Sequence, residues 1–371
     1  MMRVPARFAM LLLASALLLA AGCARKPLTY GAWTALPLGT SADFRGLWFS
    51  DADHGWIAGG SFRIPGGIVG RTSDGGRTWT FKSGIAGTGM NYRFGAARFF
   101  DQRRGLVAGG GGEMFATTDG GDNWSLVPLS GCIDFLGSLQ FVGADLGWSV
   151  GGRCVLRTED GGAIWRQTRL KSNDLYTFVG GEAMHFIDAD TGWLVGGSES
   201  LRYSDDGGFN WLPHPLPFAA GEHPKLHDIW FADAKHGWIV GDQGTILRTV
   251  DGGDTWTLRS SGVPDARSVA QPETFVHQGK KIEVDTGGRT PGLTLTAVRF
   301  VDANVGYAAG YYANLARSLI LRTQDGGATW AVDADIPGDD LHALFVLDAG
   351  NVWAVGWRTR EGTQMIYRRG V

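Results

Sequence analysis

The phrase Asp-Gly-Gly-x-x-Trp occurs six times at one internal spacing: Asp74–Trp79, Asp119–Trp124, Asp160–Trp165, Asp206–Trp211, Asp251–Trp256 and Asp325–Trp330. Each copy follows a second phrase, in which Phe is answered six residues later by Gly and then by an aromatic or apolar residue. It reads Phe49…Gly55-Trp56, Phe99…Gly105-Leu106, Phe141…Gly147-Trp148, Phe186…Gly192-Trp193, Phe231…Gly237-Trp238 and Phe300…Gly306-Tyr307. A seventh copy reads Phe345…Asn351-Val352-Trp353, with Asn in the Gly place. Most units return after about 41 to 50 residues, which is blade length for a β-propeller.

The chemistry of the turn agrees with that reading. An Asp carboxylate accepts backbone N–H groups within its own turn, paired glycines supply positive φ without steric cost, and the Trp buries a large apolar surface between sheets. Asp74, Asp119, Asp160, Asp206, Asp251 and Asp325 are therefore structural residues that build a hairpin between the third and fourth strands of each unit. The 58 Gly and 15 Trp, with only 19% charged residues, fit many short strands and tight turns.

The seventh unit reaches its third strand at Met365–Arg368, and then the chain stops. Gly31-Ala32-Trp33-Thr34 reads as the end of a turn followed by a fourth strand. The expectation is an all-β chain, a seven-bladed β-propeller over residues 23–371, with its last blade closed by the N-terminal strand. Closure removes exposed sheet edges.

Residues 1–22 stand apart. Arg3 and Arg7 precede the apolar run Phe8–Ala21, which is too short to span a bilayer. The run ends in Leu19-Ala-Ala-Gly-Cys23, small residues before a Cys that resemble the lipobox of bacterial lipoproteins. The resemblance implies cleavage before Cys23 and acylation there, which makes the membrane a partner through the acyl chains. The other reading is an ordinary secretory signal cleaved nearby. Ala24, rather than Asp, after Cys23 implies by resemblance to bacterial sorting an outer-membrane location in a two-membrane cell. Without the segment, 32 basic side chains face 37 acidic ones, so no basic surface suited to nucleic acid is expected. Cys132 and Cys154 remain as a pair in an oxidising compartment, and a bridge between them would add about 3 kcal/mol. Two free thiols are the alternative.

Function should sit where the repeat is broken. The hairpins between the second and third strands of blades 1 and 6 are five residues longer than those of blades 2, 4 and 5. They carry Phe62, Arg63, Tyr311, Tyr312 and Arg317, expected at exposed tips as candidate partner-binding residues. The connections after blade 4 (Pro213 to His227) and after blade 5 (Ser260 to Leu293) are also long. In a four-stranded meander all of these emerge on one face, opposite the Asp turns. His223 and His227 have i, i+4 spacing, but the surrounding prolines argue against a helix and no acid follows the first His as a base. They read as exposed loop histidines, and no metal or cofactor is expected. Arg71, Arg157, Arg248 and Arg322, each three residues before the turn Asp, read as structural, with binding of an acidic partner segment as the alternative.

The Arg-Thr-x-Asp-Gly-Gly-x-Thr-Trp and Phe-x-Asp…Gly-Trp phrases are Asp-boxes. With the lipobox and seven blades they resemble the BNR-repeat propellers of the photosystem II stability/assembly factor family, across nearly all of the chain after Cys23. The resemblance implies a module that binds a protein partner, a newly made membrane or envelope subunit, and the expectation is a monomer that is not an enzyme. Phe62-Arg63-Ile64-Pro65 also matches the Phe-Arg-Ile-Pro motif of sialidases, which would make Arg63 a carboxylate-binding arginine of a glycoside hydrolase. Sialidases carry that motif on the first strand of a six-bladed ring, whereas here it falls on a hairpin beside an Asp-box.

Replacing Cys23 by Ser is expected to leave an unprocessed or soluble species. Fractionation after a high-salt wash checks this, and continued partitioning with membranes would contradict the acyl anchor.

Overall fold

The computed structural model describes residues 28–61, 64–85, 93–168, 181–196, 200–218, 224–263, 274–277, 280–283, 290, 292–312, 315–358 and 364–370. Residues 1–27, with Cys23, and Phe62, Arg63 and His223 lie outside them. Seven antiparallel sheets form the blades of a propeller. Their first strands (strand A) are Asp43–Phe49, Phe94–Phe99, Ser138–Val142, Gly181–Phe186, Leu226–Phe231, Leu293–Phe300 and Asp339–Asp348. Each strand A lies against the next, and the seventh lies against the first. A separate hairpin, Thr274–His277 with Lys280–Glu283, occupies part of the connection after blade 5.

The repeated aromatic residues bind blade to blade. The Trp of strand B stacks on the strand A Phe of the following blade: Trp56 on Phe99, Trp148 on Phe186, Trp238 on Phe300 and Trp353 on Phe49, with ring centres 3.4 to 3.9 Å apart. The same indoles donate Nε1–H to the first glycine carbonyl of the next Asp-box, as Trp56 does to Gly120 at 2.9 Å and Trp353 to Gly75 at 3.1 Å. The Phe is met edge-on by the Asp-box Trp of its own blade, as Phe49 is by Trp79. The invariant Phe-to-Gly step follows from this packing. A Cβ on Gly55 would stand 2.4 Å from the Phe49 ring, so any side chain there would expel the ring.

Each Asp-box is closed by a Thr or Ser two residues before the Asp. Thr72 Oγ1 donates to Asp74 Oδ1 (2.8 Å) and accepts from Gly76 N–H (3.0 Å). Asp74 also accepts from the Thr78 backbone N–H at 2.9 Å and from its hydroxyl at 2.6 Å. The strand C arginines are structural here: the Arg157 guanidinium lies 4.7 Å from the Phe209 ring centre in the next blade's box. In the closing blade, Arg368 Nη1 donates to Gly75 O at 3.3 Å.

Ring closure is as the sequence implied. Trp33–Pro37 pairs antiparallel with Met365–Arg369, Trp33 facing Arg369. Asp333 of blade 6 accepts from both ends of the chain, from Trp33 Nε1 (2.7 Å) and Arg369 Nε (3.0 Å). Two fifth strands were not foreseen: Leu28–Tyr30 outside blade 7, and Leu129–Ser130, parallel to the outer strand of blade 3. The seventh Phe copy was misaligned by one residue. Phe345 faces Trp353, the place of Trp48 in blade 1, and Val346 faces Val352 where Phe49 faces Gly55. Val352 carries a Cβ, so a ring cannot lie over it, and the smaller Val346 takes that place.

The Asp-box bonds hold carboxyls below their ordinary range. Asp119 is lowered from 3.8 to about 2 by the Asn123 backbone N–H, the Asn123 side chain and Thr117. Asp251 and Asp325 are also lowered to about 2, by the Thr255 and Thr329 hydroxyls and backbone N–H groups first of all. Folded-state values below the unfolded value mean that the unfolded chain binds more protons. This stabilisation is complete above about pH 4 and is lost as pH falls towards 2. The melting temperature is therefore expected to fall steeply between pH 4 and pH 2. A triple Asp119, Asp251, Asp325→Asn variant should show a shallower acid slope, and equal slopes in scanning calorimetry would contradict the assignment.

Candidate functional site: the mouth of the central channel

Strand A of six blades carries a β-bulge near its start, where one residue has no partner on strand B. These residues are Arg45, Gly95, Glu182, His227, Thr296 and His342. In blade 3 the equivalent place is held by Gly137, whose N–H donates to Val150 O at 3.0 Å. A bulge re-aims its side chain out of the sheet's alternation. Here all seven residues line one cavity of about 810 Å³ on the axis. This end of the channel is the face from which the B–C hairpins and D–A connections emerge.

The ring is electrically divided. His227 bridges two carboxylates, with Nδ1 3.0 Å from Glu182 Oε2 and Nε2 2.8 Å from Asp242 Oδ1. Thr294 Oγ1 donates to Asp242 as well (3.2 Å), and Lys225 pairs with Glu182. Burial opposes the charge on His227, but the bonds to Asp242 and Glu182 outweigh it and push the imidazole up to about 9. His227 is thus an imidazolium clamp joining blades 4 and 5, not the exposed loop histidine read from the sequence. Its place on a strand was obscured by the prolines just before it. Across the ring, burial first and then Arg45 hold His342 down at about 4, in the neutral form.

One level deeper lie Trp48, Arg98, Gln140, His185, Trp230, Arg299 and Phe345, each opposite the second residue of its phrase on strand B. Gln140 is spent on the wall: it donates to Phe186 O (2.9 Å) and accepts from Phe186 N–H (2.6 Å). Arg299 is paired with buried Asp228, at 2.5 Å. Asp228 also accepts from the Val298 N–H of blade 6 at 2.9 Å.

The sequence candidates separate. Tyr311 is half-buried at the mouth, its ring centre 6.4 Å from His342. Tyr312 is 2% exposed and packs among Trp238, Leu293 and Leu319, which corrects the expectation of an exposed tip. Neighbouring strand residues point to opposite sides, so one tyrosine meets the mouth and the next the core. The hairpin continues as a paired strand through Tyr312 and Arg317. Arg317 is tied to Asp335 by two bonds of 2.6 and 2.5 Å.

Cys132 and Cys154 are bridged, with Cα atoms 5.7 Å apart. The bridge holds the segment Cys132–Leu136 across the blade 2–3 junction, and Asp134 accepts the Arg153 N–H at 2.7 Å. The backbone there is cut for this segment: a Cβ on Gly95 would meet the Phe135 ring at 2.6 Å. Held so, the segment leaves Ile133 85% and Phe135 40% exposed, and Phe135 borders the channel. Sequence reasoning missed both. The available signal was two large apolar residues beside a cysteine in a connection with no repeat counterpart.

Comparison with known proteins agrees with this architecture. The family model described as Photosynthesis system II assembly factor YCF48 matches residues 26–134 and 218–274. A photosystem II assembly lipoprotein Ycf48 of Synechococcus sp. (strain CC9902) is 30% identical over 164 residues. That alignment covers 40% of this chain and 47% of the relative, so the chain spans about half the length of the curated relative it matches. The solved structure of YCF48 bound to D1 peptide has a TM-score of 0.66 at 20% identity, covering 93% of this chain and 97% of that one. YCF48 from Cyanidioschyzon merolae has a TM-score of 0.64 at 19% identity, covering 91% and 98%. At those identities the structural likeness is one of fold. The sequence match, over less than half of the chain, and the shared fold make this seven-bladed propeller similar to the photosystem II assembly factor-like BNR-repeat propellers.

Proposed function

We propose that the chain is a lipid-anchored, monomeric binding module that holds a segment of a membrane or envelope protein during assembly, at the face that opens the central channel. The observation that carries this reading is the convergence at the channel mouth of the six bulge residues, Phe135 of the disulfide-held segment, and Tyr311 beside His342. Exposed aromatic and apolar groups beside charged ones are the composition of protein-binding surfaces. The relative solved with a D1 peptide gives a peptide segment as the class of partner. The anchor is assigned to Cys23 on its lipobox, and the relative named a lipoprotein supports it. Phe62 and Arg63, outside the described residues, and Arg317 remain candidate partner-binding residues. We read no hydrolase here: Glu182 and Asp242, the carboxylates at the mouth, are engaged by one imidazolium.

Two substitutions separate binding from scaffold. Tyr311→Ala should weaken partner capture while leaving stability within about 1 kcal/mol. Tyr312→Ala should cost about 3 kcal/mol by emptying a buried aromatic site. A photo-crosslinker at position 135 or 311 should trap a membrane protein in intact cells, and one at Asn123, in an Asp-box on the opposite face, should not. Equal trapping at Asn123 would move the interface off the mouth.

A further inference from the structure

The channel interior carries positive charge that the fold does not use. Among the charged groups lining it, Glu182 is engaged by His227 and Lys225, and Asp228 by Arg299. Asp134 is engaged by the Arg153 N–H. Arg98 has no such partner: among the described residues no carboxylate or carbonyl accepts from it, and its Nε is enclosed without a bond. Its guanidinium lies 4.0 Å from the centre of the Trp48 ring and 5.8 Å from that of Phe100. A single carboxylate, Asp43, is shared by Arg93 at 3.0 Å and Arg45 at 3.5 Å, so the mouth above Arg98 has a second surplus cation. Opposite, three blades away, Arg299 lies 5.0 Å from the Trp230 ring centre, a matching guanidinium–indole pair whose Asp is present. Comparison of the two pairs isolates what Arg98 lacks, an oxyanion.

A guanidinium removed from bulk water without an acid is unfavourable. Stacking on an indole fixes its plane and leaves its edge donors directed for bidentate capture. A cavity of about 810 Å³ is also of the size that encloses small molecules. We propose that the central channel is a binding site for a small anionic molecule, with its carboxylate or phosphate group on the Arg98 guanidinium, Trp48 as the platform and Arg45 drawing the anion in at the mouth. This site lies in the channel beneath the mouth assigned to protein binding and shares Arg45 with it, but it is read with anion alone, so its test does not depend on that assignment.

The test uses the mature protein in calorimetric titrations and thermal melts at constant ionic strength, with inorganic phosphate, with succinate, and with chloride as reference. Saturable binding and a rise in melting temperature are expected in one arm, and the responding arm names the oxyanion. Arg98→Gln should weaken that binding at least tenfold while melting no lower than the parent without anion, because it removes an unpaired charge. Arg166→Gln, on the outer strand of blade 3, should change nothing. Arg98→Lys, which keeps the charge but loses the planar fork, should bind with intermediate affinity. No saturable response to either anion, or an Arg98→Gln variant that responds like the parent, would overturn the proposal. So would an anion-free melting temperature of Arg98→Gln several degrees below the parent, which would make Arg98 a scaffold residue.

Discussion

Four of the seven blade junctions depend on how an indole of one blade meets a phenylalanine of the next. A propeller has no single core. Its apolar surface is divided among seven blade junctions, and each must be filled by residues drawn from two sheets. Stacking Trp56 on Phe99, or Trp353 on Phe49, fills the widest part of a junction with two flat surfaces and leaves the indole N–H to be bonded. The Asp-box carbonyl that accepts it converts a greasy contact into one with a defined register. The turn and the junction are thus one device. The Asp shapes a loop whose glycine carbonyl is the docking point for the neighbouring blade.

Because that device needs particular residues at particular spacings, the fold was legible in the sequence almost completely. Blade number, strand order, the six Asp turns and the closing role of Trp33–Pro37 all follow from it. The failures occurred where the device is absent. Blade 7 has no Gly beneath a Phe, so counting from Phe345 slipped by one residue, and only the pairing of Phe345 with Trp353 reveals the shift. The tyrosines of blade 6 were read as a pair because they are adjacent, yet strand alternation sends them to opposite environments.

The site was far less legible, for a physical reason. Bulge residues have no partner on strand B and no volume to conserve, so nothing in their identity marks them. Arg45, Gly95, Glu182, His227, Thr296 and His342 share a place in the fold and no chemistry. A sequence search for repeated types passes over them, and so does a search for catalytic spacings. The same holds for Arg98, whose platform Trp48 comes from the neighbouring blade. Only the structure brings together residues whose common property is to face the same empty volume.

The closing blade has a consequence for biosynthesis. Trp33 finds its strand partner in Arg369, and Asp333 binds both strands, so a strand made early waits for one made late. Until the Met365–Arg369 strand emerges, the ring is an open arc with a bare sheet face at each end and a Trp33–Pro37 strand lacking that partner, a shape prone to pairing with other chains. A chain that stops before Met365–Arg369 leaves Trp33–Pro37 without its partner strand and open to the proteases and chaperones of the compartment in which it folds.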